Sequence, residues 1–323
     1  MKKAFLLAAL TLFAAASCQK NVIPECPEEA VLDGPTGQIL LKIGQPDTKV
    51  AVSGMSEHSI NQVQVFVFNT AGALETDRVA TNTASTAGIS VTLTSKIGLK
   101  TIYALVNAPR VKPKTLTELE GTVSDLKDNS VNNLVMVGKT GIKVEEYSGK
   151  PMSFDIPVRK LAAAVVLAGV NVDFRNTALE GSSFVLKEVY VKNVVGRVPY
   201  GDPASPGDVL YNKKTLDTAP LELTFDACNL TSYATPNRVL YVYPNAKKGE
   251  TCLVLHAKVA GTDTYYPFDL PVLEANKKYS VTVSITMLGK PDDNDDSRVT
   301  VGIISPTITI KDWDNTYNLP YNM

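Results

Sequence analysis

Histidine, cysteine and tryptophan are scarce in this chain, and each shortage closes off a class of function. There are two histidines, His58 and His256, and one tryptophan, Trp313, in 323 residues. The four cysteines, Cys18, Cys26, Cys228 and Cys252, form no C-x-x-C pair, so a zinc or iron–sulfur centre has no ligand set to stand on. Charge is also nearly balanced, formally −1, and −3 once Lys2 and Lys3 are set aside, so no basic surface points to nucleic acid. No G-x-S-x-G elbow, H-E-x-x-H helix or glycine-rich phosphate loop occurs. The residues offer no catalytic, cofactor or metal site, and the chain reads as a non-enzyme.

Apolar runs long enough to span a bilayer are missing too. The longest stretch, Ala4 to Ala16, follows Met1-Lys2-Lys3 and precedes Ser17-Cys18. It is too short for a bilayer span, which needs about 20 apolar residues. A basic start, an apolar run and small residues before a cut site make residues 1–17 a secretory signal peptide. A cysteine directly after Ala15-Ala16-Ser17 resembles a bacterial lipobox, which implies that Cys18 is acylated and holds the protein on the outer membrane. Each buried CH₂ of such chains contributes about 0.8 kcal/mol. The alternative is an ordinary secretory cut beside an incidental cysteine. In an oxidising compartment Cys228 and Cys252 either pair, if their Cα atoms come within about 4.4–6.8 Å, or stay as two buried thiols.

What remains is dominated by alternation. Residues 18–49 form a leader, polar and proline-containing as far as Pro35 and then carrying one apolar strand with Ile39, Leu41 and Ile43 on one face. Gln62–Phe68, Ile89–Thr94 and Thr101–Val106 repeat the two-residue period of strands, and Asn69-Thr70-Ala71-Gly72 is a turn. One segment departs from it. Thr115 to Leu126 spaces Leu116, Leu119, Val123 and Leu126 as an amphipathic helix of about three turns, with Thr115 and Glu118 as a capping box. A second β series begins near Met152–Pro157. Its opening run, Val158–Val172, suits a strand buried on both faces or one passing between two sheets. The expected fold is all-β with one short helix, two tandem β-sandwich domains of transthyretin-like or Ig-like type, spanning 50–154 and 155–323.

The order of these segments carries a resemblance. The lipobox and polar leader precede Gly37–Gly44, then Asp47-Thr48-Lys49-Val50-Ala51 and Val63–Asn69. Ala104-Leu105-Val106-Asn107-Ala108, Lys114–Leu119, Arg159-Lys160-Leu161-Ala162-Ala163 and Val239–Asn245 follow. Lys277–Val281 and Ile310-Lys311-Asp312-Trp313 close the set. This layout resembles the fimbrillin superfamily, the major fimbrial subunits of type V pili, across essentially the whole chain.

The resemblance implies a structural subunit of a surface fimbria serving adhesion. It implies export as a lipoprotein and cleavage by a trypsin-like surface protease of the gingipain type. The matching position here is Lys49, with Val50 as the new N-terminus. Lysine in place of arginine excludes an Arg-restricted protease, and Lys42, inside the strand, is a weaker site. Loss of the leader strand, with Ile39, Leu41 and Ile43, opens a groove for donor-strand exchange. The implied donor is the C-terminal segment from Thr307, with Ile308, Ile310, Trp313, Tyr317, Leu319 and Tyr321. The implied partners are other fimbrial subunits. Two alternatives stay open: a lipid-anchored monomeric module binding glycans or host ligands, and a minor tip or anchor subunit.

Three lesser features read as structural. Asp292, Asp293, Asp295 and Asp296 lack the spacing of an EF-hand and read as a solvated hairpin tip rather than a calcium loop. His256, on a strand beside Lys258, reads as a satisfied strand histidine. Tyr241, Tyr243, Tyr265 and Tyr266 read as cover for a core edge in preference to a sugar platform.

Overall fold

The architecture is that of a computed structural model, which describes residues 33–44, 57–86, 88–204, 210–211, 223–229, 233–234, 238–293 and 304–312. In chain order the first half contains β1 (Thr36–Gly44), β2 (Ile60–Phe68), β3 (Leu74–Thr86), β4 (Gly88–Lys96) and β5 (Gly98–Val106). Helix α1 (Leu116–Gly121), β6 (Val123–Asp125), β7 (Met136–Val144), β8 (Met152–Pro157) and β9 (Arg159–Lys160) follow. The second half runs through β10 (Ala163–Val172), β11 (Phe184–Lys192), β12 (Val194–Val195), β13 (Arg197–Pro199), β14 (Leu210–Tyr211) and β15 (Leu223–Asn229). It ends with β16 (Tyr233–Ala234), β17 (Arg238–Val242), β18 (Cys252–Val259), β19 (Thr262–Asp269), β20 (Lys277–Ile285) and β21 (Ile304–Asp312). The fold is all-β with one short helix, in two β-sandwich-like halves.

In the first half, a three-stranded sheet of order β4-β1-β8 packs on a five-stranded sheet of order β3-β2-β5-β7-β9. Alternation explains the core between them. Ile39, Leu41, Ile43, Val91, Leu93 and Ile156 point inward from the small sheet onto Val63, Val65, Val67, Ile102, Ala104 and Val106. The larger sheet is not half-solvated, however. Its other face carries Phe66, Phe68, Tyr103, Leu105 and Val137, which join the core of the second half. The polar member of β2 is buried with them: the Gln64 amide donates to the Ala108 and Pro109 carbonyls at 3.0 and 2.9 Å and accepts from Val111 N–H at 3.0 Å. A buried amide is tolerated because its hydrogen-bonding capacity is met.

The second half stacks β16-β10-β20-β21, with β17 also on β10, against β15-β11-β18-β19. The apolar run after Val158 divides at Leu161-Ala162: β9 pairs with β7 of the first half and β10 opens the second. The strand does pass between two sheets. β8 and β9 therefore belong to the first sandwich, which extends to Lys160 rather than stopping at residue 154.

The turn at Asn69–Gly72 forms as the residues require: Asn69 Oδ1 accepts from Ala71 and Ala73 N–H, and Gly72 has φ +76°. The helix is shorter than its sequence period suggests. Thr115 caps it, its hydroxyl accepting from Glu118 N–H at 3.1 Å, while Glu118 accepts from Lys114 N–H. It ends at Gly121, because Val123–Asp125 pair with β13 as β6 and Leu126 begins a 3₁₀ turn. A cross-half ladder overrides helical spacing there. The same seam is tied by Tyr103, whose hydroxyl donates to the Tyr200 carbonyl at 2.7 Å, and by Tyr243, which bonds Ser124 and Asn129.

Candidate functional site: a strand-filled groove

β1 is the centre of its sheet. It runs antiparallel to β4, with Ile39 opposite Leu93 and Leu41 opposite Val91, and parallel to β8, with Leu41 opposite Phe154. Ile39, Leu41 and Ile43 are fully buried, whereas Lys42 faces solvent with its backbone held on both sides. The strand fills a groove whose walls are β4 and β8 and whose floor is the larger sheet. Three buried aliphatic side chains contribute about 1.5–3 kcal/mol each.

The two ends of the groove differ. At the Thr36 end, Val144 and Glu145 cross the inward face of Gly37, and Pro35 and Thr36 carbonyls accept from Ile97 and Tyr147 N–H. Beneath lies a buried ion pair, Lys100 Nζ to Glu75 Oε1 at 2.7 Å, with the Ser95 hydroxyl donating to the other Glu75 oxygen at 3.3 Å. At the Gly44 end the groove opens into a cleft of about 230 Å³ lined by Ile43, Gly44, Gly88, Ile89, Asp155 and Pro157. The chain leaves through this end toward Lys49 and Val50, which lie outside the described residues, as does Cys18.

At the other end of the chain, β21 pairs only with β20 among the described strands. Ile308 is half-buried against the second core and Ile310 is 52% exposed. Its far end is fastened by Lys277 Nζ on Asp312, and that carboxylate raises the Lys277 pKa above the ordinary 10.5. Thr307–Ile310 thus forms part of the last described strand of its own sandwich. Trp313, Tyr317, Leu319 and Tyr321 fall outside the described residues.

The register of the sheet β15-β11-β18-β19 decides between the two cysteine alternatives. Cys228 on β15 lies opposite Leu186 of β11, while Cys252 on β18 lies opposite Lys192 of the same strand. β11 stands between them, so two strand spacings of about 4.8 Å plus the stagger along the strands separate the pair. That is far beyond disulfide reach.

The acidic segment is corrected as well. Asp293 is buried, its carboxylate accepting from the Tyr190 hydroxyl at 2.6 Å and its carbonyl from Lys192, so it is no solvated tip. Burial and that carboxylate push the Tyr190 pKa well up. Asn294, Asp295 and Asp296 lie outside the described residues, and no metal-holding cluster occurs among the described ones. His256 is a strand histidine held between carboxylates: Nε2 is 3.1 Å from Asp263, Nδ1 is 3.5 Å from Glu188, and the ring stacks on Tyr265 at 4.4 Å. Hydrogen bonding to His256 lowers the Asp263 pKa. Tyr241, Tyr243 and Tyr266 are buried, and burial lifts the Tyr266 pKa to about 12, so these rings form no exposed platform. The Lys100–Glu75–Ser95 cluster went unread in the sequence, although a lysine in phase with Ile102 and Ala104 was its one signal.

Residues 44–149 match the family described as major fimbrial subunit protein (FimA). No curated protein matches the chain. Among solved structures, a candidate cell adhesion protein from Parabacteroides distasonis ATCC 8503 aligns with TM-score 0.62 and 16% identity, over 90% of this chain and 100% of that one. A fimbrilin (FimA) from Porphyromonas gingivalis W83 aligns with TM-score 0.57 and 12% identity, over 87% and 98%. The tip fimbrial protein Mfa3 from Porphyromonas gingivalis aligns with TM-score 0.55 and 11% identity, over 86% and 100%.

Proposed function

We propose that the chain is a stalk pilin of the FimA type, activated by removal of β1: residues 44–149 match the major fimbrial subunit family, and the fold resembles that of a fimbrilin. The family is one of non-enzymatic subunits of cell-surface fimbriae, and partners are other fimbrial subunits. The finer steps are our reading. Cys18 is acylated after export and holds the subunit on the outer membrane. A trypsin-like protease then cuts after Lys49, making Val50 the N-terminus and releasing Ile39, Leu41 and Ile43 with the lipid.

One observation carries this reading: the leader strand is the buried centre of a three-stranded sheet, not an edge. Its departure leaves two unpaired strand edges and an apolar trough, and a strand from another subunit restores both by β-augmentation. The donor is the C-terminal segment from Thr307, bearing Ile308, Ile310, Trp313, Tyr317 and Leu319. Donor and groove are different surfaces, so the contact is heterologous and propagates a filament. While β1 stays in place the groove is filled and assembly is blocked.

The test is brief trypsin treatment of residues 19–323, with N-terminal sequencing and an unboiled gel. A Val50 start with a ladder of heat-sensitive oligomers is expected. A Val50 start without oligomers makes it a tip subunit. Resistance at Lys49 with a single monomer band overturns the proposal in favour of an anchor or a tethered monomeric binding module.

A further inference from the structure

The groove has one position that accepts no side chain. Along β1 the inward-facing residues are Gly37, Ile39, Leu41 and Ile43, and the first has no side chain to bury. A Cβ built on Gly37 would overlap the Glu145 carbonyl oxygen and come within 2.8 Å of Val144 Cγ1. The obstacle is backbone at the end of β7, pinned where Val144 pairs with Gly98 and where Tyr147 N–H bonds the Thr36 carbonyl at 3.3 Å. It cannot move aside as a flexible side chain can. Beside Gly37, opposite it on β4, Ser95 is fully buried and bonded to Glu75 of the Lys100–Glu75 pair, so that end of the groove is polar as well as tight.

From this we propose that the Val144–Glu145 backbone is a register stop, and that the strand occupying the groove must place a glycine, or end, opposite Ser95. A strand can slip only in steps of two without turning its apolar face outward. Sliding β1 one step toward the stop would put Ile39 under Glu145, and one step the other way would put Pro35 there. Both carry a Cβ, so Gly37 fixes the leader in a single register. For an incoming strand this rests on the function proposed above. The proposed donor, from Thr307 onward, contains no glycine, so a second copy docks with its apolar face beginning short of the stop. At the opposite end the open cleft by Gly44 tolerates length, so the stop alone sets alignment.

The test uses the full uncut chain, with β1 as the occupant. Leu40 and Thr92 are cross-strand partners on the outer face, so the pair L40C/T92C reports the native register and L40C/T94C a slip of one step toward the stop. Transposing the glycine, G37I with I39G, is expected to move the bond from the Leu40–Thr92 pair to the Leu40–Thr94 pair. Retention of the native bond in that background overturns the proposal. As a second measurement, G37A alone is expected to raise trypsin cleavage at Lys42 about tenfold, since overpacking by one methyl typically costs enough for that factor. An unchanged cleavage rate also overturns it. Neither readout needs polymerisation: a register that follows the glycine in a chain that never assembles leaves the stop intact and sinks only the proposed function.

Discussion

β1 and β21 are both nine-residue strands with their isoleucines on one face, TGQILLKIG and ISPTITIKD, yet the fold treats them oppositely. β1 is flanked on both sides and its isoleucines are fully buried, whereas β21 has one described neighbour and leaves Ile310 52% exposed. Alternation sets which face a strand turns inward, but the number of neighbours sets what its removal costs. Taking out β1 strips a core and two ladders, while taking out β21 strips one ladder and little apolar area.

The largest effect is expected beneath the stop, where Glu75→Ala leaves Lys100 buried without its carboxylate and costs about 3–5 kcal/mol in denaturant unfolding. A loss below about 1 kcal/mol would mean that the closed end is wetter than its burial implies. Next, Leu41→Ala is expected to cost about 2–5 kcal/mol, but Ile310→Ala only about 0.5. Equal losses would erase the distinction between centre and edge. In native-state hydrogen exchange, β21 amides are expected to exchange faster than those of β1, because local opening requires less there.

The smallest effect concerns pH. Asp312 raises the Lys277 pKa in the folded state, so its contribution is present below the ordinary value of 10.5 and is lost as pH rises through the raised one. Loosening of the Asp312 end of β21 above pH 10.5, read by amide exchange and absent in Asp312→Asn, is the expected result. An identical profile in that variant would remove the ion pair from the account.

The same contrast explains which readings of the sequence held. Ile39, Leu41 and Ile43 were legible as one face because a two-residue period needs no tertiary knowledge. The Asn69–Gly72 turn and the Thr115 cap were legible for the same local reason. Gln64 was not: it alternates as an outward polar residue and is buried, since the second sandwich covers that face of the sheet. Helix α1 stops at Gly121 because β13 claims Val123–Asp125. Cys228 and Cys252 look like partners until the register puts β11 between them. Asp293 sits in an acidic run yet is sequestered by Tyr190 and Lys192, more than a hundred residues away.

Taken by itself, the sequence determined the signal-like start, the strand faces and the turn, all of which depend on neighbours within a few residues. Only the tertiary structure decided that β1 is central, that β8 belongs to the first sandwich, and that Gly37 meets the backbone at the end of β7. Those facts come from which segments lie side by side, and contact between residues 37 and 145 or pairing between 39 and 152 leaves no periodic trace in the chain.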